Sequence, residues 1–92
     1  MITVKQIAQK MRISHDGLND EIQDNIDACI LDFKRVGVNI NTEESDKLID
    51  KAIELYCKAE NDYQGKGEEF RRNYEKLRDA ISLCEDYRKG DA

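Results

Sequence analysis

No proline occurs anywhere in the chain. Proline breaks helices because its ring clashes with the preceding turn and it has no amide hydrogen to donate. A chain free of it can run long helices without interruption, and the apolar residues here are spaced for that. Val4, Ile7, Ala8 and Met11 keep the i, i+3, i+4, i+7 rhythm of one buried helical face. A first helix is therefore predicted over about Val4 to Arg12. Thr3 is its N-cap, with a hydroxyl able to accept from a free amide of the first turn. The turn-forming cluster Ser14-His15-Asp16-Gly17 ends the segment.

A second stripe, Leu18, Ile22, Ile26, Cys29, Ile30, Phe33 and Val36, predicts a helix from about Leu18 to Val36. Asp20, Glu21, Asp24, Asp27 and Asp32 are assigned to its opposite, solvated face. Lys34 and Arg35 fall in the last turn, where cations complement free carbonyls, and Gly37 suits the C′ position that often takes positive φ. In the connection at 37–42, Val38 and Ile40 alternate with polar residues, the pattern of a short extended piece. The third helix is expected to be capped by Thr42 or Ser45, with Glu43, Glu44 and Asp46 in its first turn, and to end near Asn61. Its stripe is Leu48, Ile49, Ala52, Ile53, Tyr56 and Cys57, continued by Tyr63. Leu55 lies off that stripe, and a helix apolar on more than one side touches two partners. Residues 61–67 read as a turn. A fourth helix, from near Glu68 to Leu83 or Cys84, carries Phe70, Tyr74, Leu77, Ile81 and Cys84 on its apolar side. Phe70 and Tyr74 are both expected in the core. The tail at 85–92 reads as frayed. These patterns predict an all-α fold, a compact bundle of about four amphipathic helices forming one domain over residues 1–92.

Composition narrows the function classes. Hydrophobic residues make up 39% of the chain and charged residues 38%, too apolar a balance for a disordered protein. A chain of this length buries only about 60–65% of the surface its unfolded form exposes, so its core is thin and association would help it. The net charge of −5 opposes non-specific binding to nucleic acid, which needs Lys and Arg to displace counterions. No apolar stretch approaches the roughly 20 residues of a membrane span. The N-terminus is amphipathic and charged rather than a signal peptide, so synthesis and folding in the cytosol are expected. Cys29, Cys57 and Cys84 are odd in number, lack CxxC spacing and all fall on apolar stripes. That is the pattern of reduced cysteines used as small core residues. With His15 the only histidine, close-spaced metal ligands are missing.

Four motifs look like chemistry and are weighed against plainer readings. Gln64-Gly65-Lys66-Gly67 has a phosphate-loop flavour, but a Walker loop needs GxxxxGK[ST] between a strand and a helix; a helix-to-helix turn is expected. The acidic run of the second helix lacks the Gly and terminal Glu of an EF-hand. His15 has no Cys or Ser partner in a recognisable frame and is expected to be a turn or cap residue. Residues 3–14 resemble the opening of a helix-turn-helix DNA reader, with Arg12 where that motif carries its turn glycine. The following helix would then enter the major groove, yet residues 18–36 hold five carboxylates against two cations, net −3, which phosphates repel. No catalytic, cofactor-binding or metal-ligating residue is assigned, and the protein is expected not to be an enzyme.

The stretches Ile49–Ala59, Tyr63–Phe70, Tyr74–Arg78 and Ser82–Tyr87 resemble the head–tail connector proteins of long-tailed bacteriophages, also called DNA-packaging or head-completion proteins. The short first helix, Ile13-Ser14-His15-Asp16 and the acidic start of the second helix are similar to the usual opening of that family. The resemblance covers most of the chain. It implies an all-α structural subunit of a phage or prophage that assembles as a homo-oligomeric ring. Such a ring docks beneath the portal protein, extends the DNA channel and presents a surface to a tail-side completion protein. DNA would pass through the lumen without sequence-specific binding, and the acidic face of the second helix is expected to line it. The implied location is the host bacterial cytoplasm during assembly and the head–tail junction of the virion. The other readings are a small DNA-binding regulator and a generic helical adaptor.

Overall fold

Each apolar stripe becomes one helix. The computed structural model describes residues 1–87. They form an all-α bundle of α1 (Val4–Lys10), α2 (Asn19–Arg35), α3 (Lys47–Glu60) and α4 (Gly67–Ser82), with single 3-10 turns at Tyr63–Gly65 and Glu85–Tyr87.

Thr3 caps α1 as predicted, and reciprocally. The Gln6 amide donates to Thr3 Oγ1 at 3.2 Å, and the Thr3 amide donates to Gln6 Oε1 at 2.9 Å, a capping box. The helix stops at Lys10, before Arg12, because Arg12 is left-handed at φ 57°. The Arg12 amide donates to the Gln9 carbonyl at 3.1 Å and the Ile13 amide to the Ala8 carbonyl at 2.9 Å, the paired bonds of a Schellman ending. α2 closes the same way on Gly37, at φ 89°, with Gly37 N–Lys34 O 3.1 Å and Val38 N–Phe33 O 2.9 Å. A side chain is strained in that backbone conformation and glycine is not. Arg12→Gly is therefore expected to raise stability by about 0.5–1 kcal/mol in denaturant melts, the relief of strain outweighing the added freedom of the unfolded chain.

The cap of α3 corrects the sequence expectation. It is Asp46, not Thr42 or Ser45: Asp46 Oδ1 accepts from the amides of Leu48 at 2.9 Å and Ile49 at 3.2 Å. Its other oxygen accepts from the Tyr87 hydroxyl at 2.8 Å, so a contact from the far end of the chain favours this cap. Glu43 and Glu44 consequently lie in the preceding loop. Asp50 is the acidic residue of the first turn and accepts the Ile2 amide at 2.9 Å.

α3 is the central element. It packs most extensively on α4 and also touches α2 and α1, while α1 packs on α2. Its buried arc holds Ile49, Ala52, Ile53, Leu55 and Cys57, and burial of the off-stripe Leu55 is the mark of a helix with several partners. The molecule measures 43 × 27 × 19 Å; its least thickness is that of two helices at about 10 Å each.

Several stripe residues sit differently from the prediction. Leu48 is 50% exposed, because α3 has no neighbour on that side of its first turn. Phe70 and Leu77 are only partly buried, on the flank of α4 rather than beneath it. Cys84 lies past the end of α4 and is exposed, since the helical phase that would have turned it inward ends at Ser82. The tail is not frayed at Glu85–Tyr87, which folds back so that the Asn39 amide donates to the Tyr87 carbonyl at 3.1 Å. Residues 88–92 of that tail lie outside the described residues. At the predicted extended piece, Val38 is buried as a single bridge residue. Among the described residues no helix is long and apolar enough to cross a membrane.

Candidate functional site

The most developed polar arrangement joins α2 to α4. Asp32, expected on the solvated face, is half-buried at the edge of the stripe beside Cys29 and Phe33. Asp32 Oδ2 accepts from the Tyr74 hydroxyl at 2.6 Å and from Arg78 Nη1 at 3.1 Å. Its Oδ1 accepts from Arg35 Nη2 at 2.7 Å and Nε at 3.2 Å. The Cys29 thiol donates weakly to the Tyr74 oxygen at 3.8 Å. The Tyr74 ring meets Phe33 edge-on at 6.0 Å and Tyr56 at 5.1 Å between centroids, the geometry the ring quadrupole favours. Leu31, Tyr56, Arg71 and Glu75 border a shallow groove above this node.

Electrostatics agree with the geometry. Burial alone would raise the Asp32 carboxyl, but hydrogen bonds from Tyr74, Arg35 and Arg78 outweigh it and hold the group below its ordinary range. Burial and the bond to Asp32 push the Tyr74 hydroxyl upward. Burial pushes the Cys29 and Cys57 thiols up to about 12, the direction opposite to that of an activated cysteine nucleophile. Asp32 is fully engaged, and the node acts as a saturated clamp between two helices. Sequence reasoning missed it by grouping Asp32 with the acidic run, although it stands five residues past Asp27 and outside the i+4, i+3 spacing of Asp20, Asp24 and Asp27. The signal that could have found it is Tyr74 and Arg78, one turn apart on α4 and both needing a partner.

A second polar cluster, also missed, surrounds Glu54, the buried charged residue of α3. Lys58 Nζ donates to it at 2.8 Å, while Lys10 and Lys51 approach at 3.7 and 4.0 Å. Burial raises the Glu54 carboxyl, and the lysines, Lys58 foremost, more than offset this, so its pKa is lowered. Lys58 also sits 5.3 Å from the Tyr63 ring and 5.5 Å from the Phe70 ring, within cation–π range. Lysines at i−3 and i+4 from a glutamate inside an apolar stretch were the legible sign.

The phosphate-loop-like motif is a helix-to-helix turn. Asp62, Gln64 and Gly65 all take positive φ, and Asp62 Oδ1 accepts the Gly67 amide at 2.8 Å. A carboxylate of the chain thus occupies the place where a phosphate would accept. Gly67 is required by space: a Cβ there would lie 2.7 Å from Asp62 Oδ1 and 3.0 Å from the Ala59 carbonyl oxygen. Gly67→Ala is expected to cost about 1–3 kcal/mol, readable as a fall in denaturation midpoint. His15 accepts the Gly17 amide at 3.1 Å through Nδ1, a turn role as expected. Residues 11–18 separate α1 from α2, whereas a helix-turn-helix uses about three to four. Among the described residues no cluster of three or more His, Cys, Asp or Glu could hold a metal ion.

Compared with protein-family models, with curated proteins and with solved structures, the chain matches none.

Proposed function

We propose that the protein is a structural connector subunit of a phage or prophage, assembling as a ring between the portal protein and a tail-side completion protein around the DNA channel. One observation carries the reading. The segments that bear the resemblance, 49–59, 63–70, 74–78 and 82–87, form one continuous unit: α3, the Asp62–Gly67 turn, α4 and the Tyr87 fold-back. These segments span the α3–α4 hairpin, whose fixed geometry suits a structural subunit. The thin core supports the same view, since a partner would bury surface the chain cannot bury alone.

Native mass spectrometry of the chain, alone and with a portal protein, tests this. A closed oligomer in either sample is the expected result. Monomers in both samples overturn it. Salt-sensitive binding to a DNA duplex with Kd below about 1 μM would instead establish the regulator.

A further inference from the structure

Two surfaces of this chain complement each other, and each carries charge left unpaired within one copy. The first is the groove between α1 and α3. Lys10, Lys47 and Lys51 line it, with Asp50 and Glu54 on its floor. Glu54 is already satisfied by Lys58, and Asp50 by the Ile2 amide. Lys47 has no ion-pair partner among the described residues, and Lys10 and Lys51 reach Glu54 only at 3.7 and 4.0 Å. The groove therefore presents excess ammonium charge on a chain whose net charge is −5. The exposed Leu48 adjoins it at the start of α3.

The second surface is the outward stripe of α2. Asp20, Asp24, Asp27 and Leu31 are all exposed, and their i, i+4, i+7, i+11 spacing places them on one helical face. Among the described residues no cation pairs with the three carboxylates; Asp27 accepts only from Gln23, at 3.0 Å. Asp20 and Asp24 repel each other at i+4, as do Asp24 and Asp27 at i+3. Leu31, 64% exposed, continues the stripe. Three unpaired carboxylates followed by a bare leucine match a groove of lysines beside another bare leucine, the lysine stems supplying apolar contact.

We propose that the α1/α3 groove receives the outward α2 stripe of a second copy of this chain, so that copies join head to tail. The two patches lie on different elements, so the contact is heterologous and can repeat from copy to copy, as a ring requires. This rests on the connector reading and gives it a subunit contact. It also moves these carboxylates from the lumen to the boundary between subunits.

Sedimentation velocity tests the contact. The wild-type chain is expected to self-associate at about 50 mM salt and to do so about tenfold more weakly at about 500 mM. Lys47→Glu, which disturbs no contact within the chain, should weaken association at least about tenfold, as should Asp20→Lys/Asp24→Lys/Asp27→Lys. Mixing the two variants should restore it, because each then offers the other a complementary surface. If circular dichroism shows the triple variant unfolded, Lys47→Glu decides alone. Association unchanged by the reversals, no rescue on mixing, or a wild-type monomer at about 1 mM overturns the contact. Lysine-dependent binding of duplex DNA to the groove does so too. Reversed variants that still close into the wild-type oligomer sink this interface while leaving the connector reading intact. Monomers even with the portal protein sink the connector reading itself.

Discussion

Tyr74→Ala is expected to lower the free energy of unfolding by about 3–5 kcal/mol. A chain of this length is stable by only about 5–14 kcal/mol, so the variant should be marginal in denaturant melts near room temperature. Two effects add. The ring is 2% exposed and packs edge-on against Phe33 and Tyr56, so its removal leaves a cavity between α2, α3 and α4. The hydroxyl is a donor to Asp32, and its loss takes one of the bonds from a half-buried carboxylate. Tyr74→Phe separates the two, keeping the ring and costing about 1 kcal/mol. Phe70→Ala should cost less than Tyr74→Ala, about 1–2 kcal/mol, because that ring is only partly removed from water. Equal losses at Phe70 and Tyr74 would mean that α4 packs in a different phase.

The periodicity of apolar residues carried most of the fold, because it depends on the local rule that side chains three and four apart share a helical face. Ile7, Ile22, Ile26, Phe33, Ile53 and Tyr74 all turn inward as their spacing demands. What spacing could not reveal were features fixed by distant partners or by where a helix stops. Cys84 stands in phase with Ile81, but the helix ends first. Asp46 outcompetes Thr42 and Ser45 as a cap with the help of Tyr87, 41 residues away. Arg12 bears the left-handed turn that a glycine would ordinarily take. The polar clusters were least legible, since a charged residue inside an amphipathic helix is read as solvated by default. Asp32 departs from that rule because Arg78 and Tyr74 of α4 reach it, and Glu54 because Lys58 on its own helix holds it at 2.8 Å, with Lys10 of α1 further off at 3.7 Å.

Asp32→Ala is expected to cost about 2–3 kcal/mol and to change how stability responds to acid. The substitution removes the acceptor shared by Tyr74, Arg78 and Arg35. The Tyr74 hydroxyl is then left among Cys29, Phe33 and Tyr56 with only a weak sulfur partner, and Arg78 keeps Asp79 alone. The pH dependence follows from the direction of the carboxyl shift. Asp32 binds its proton less readily in the folded chain than in the unfolded one, so as pH falls the unfolded state takes up the proton first. The stabilisation is complete above the ordinary aspartate value of about 3.9 and is lost as pH falls through that value towards the lower folded one. Asp46 and Glu54 are shifted in the same direction, so the wild-type chain should lose stability steeply below about pH 4. Asp32→Ala should be less stable at neutral pH yet lose less on acidification. Parallel acid limbs for the two proteins would assign that loss to Asp46 and Glu54 and show that the α2–α4 clamp does not depend on the charge of Asp32.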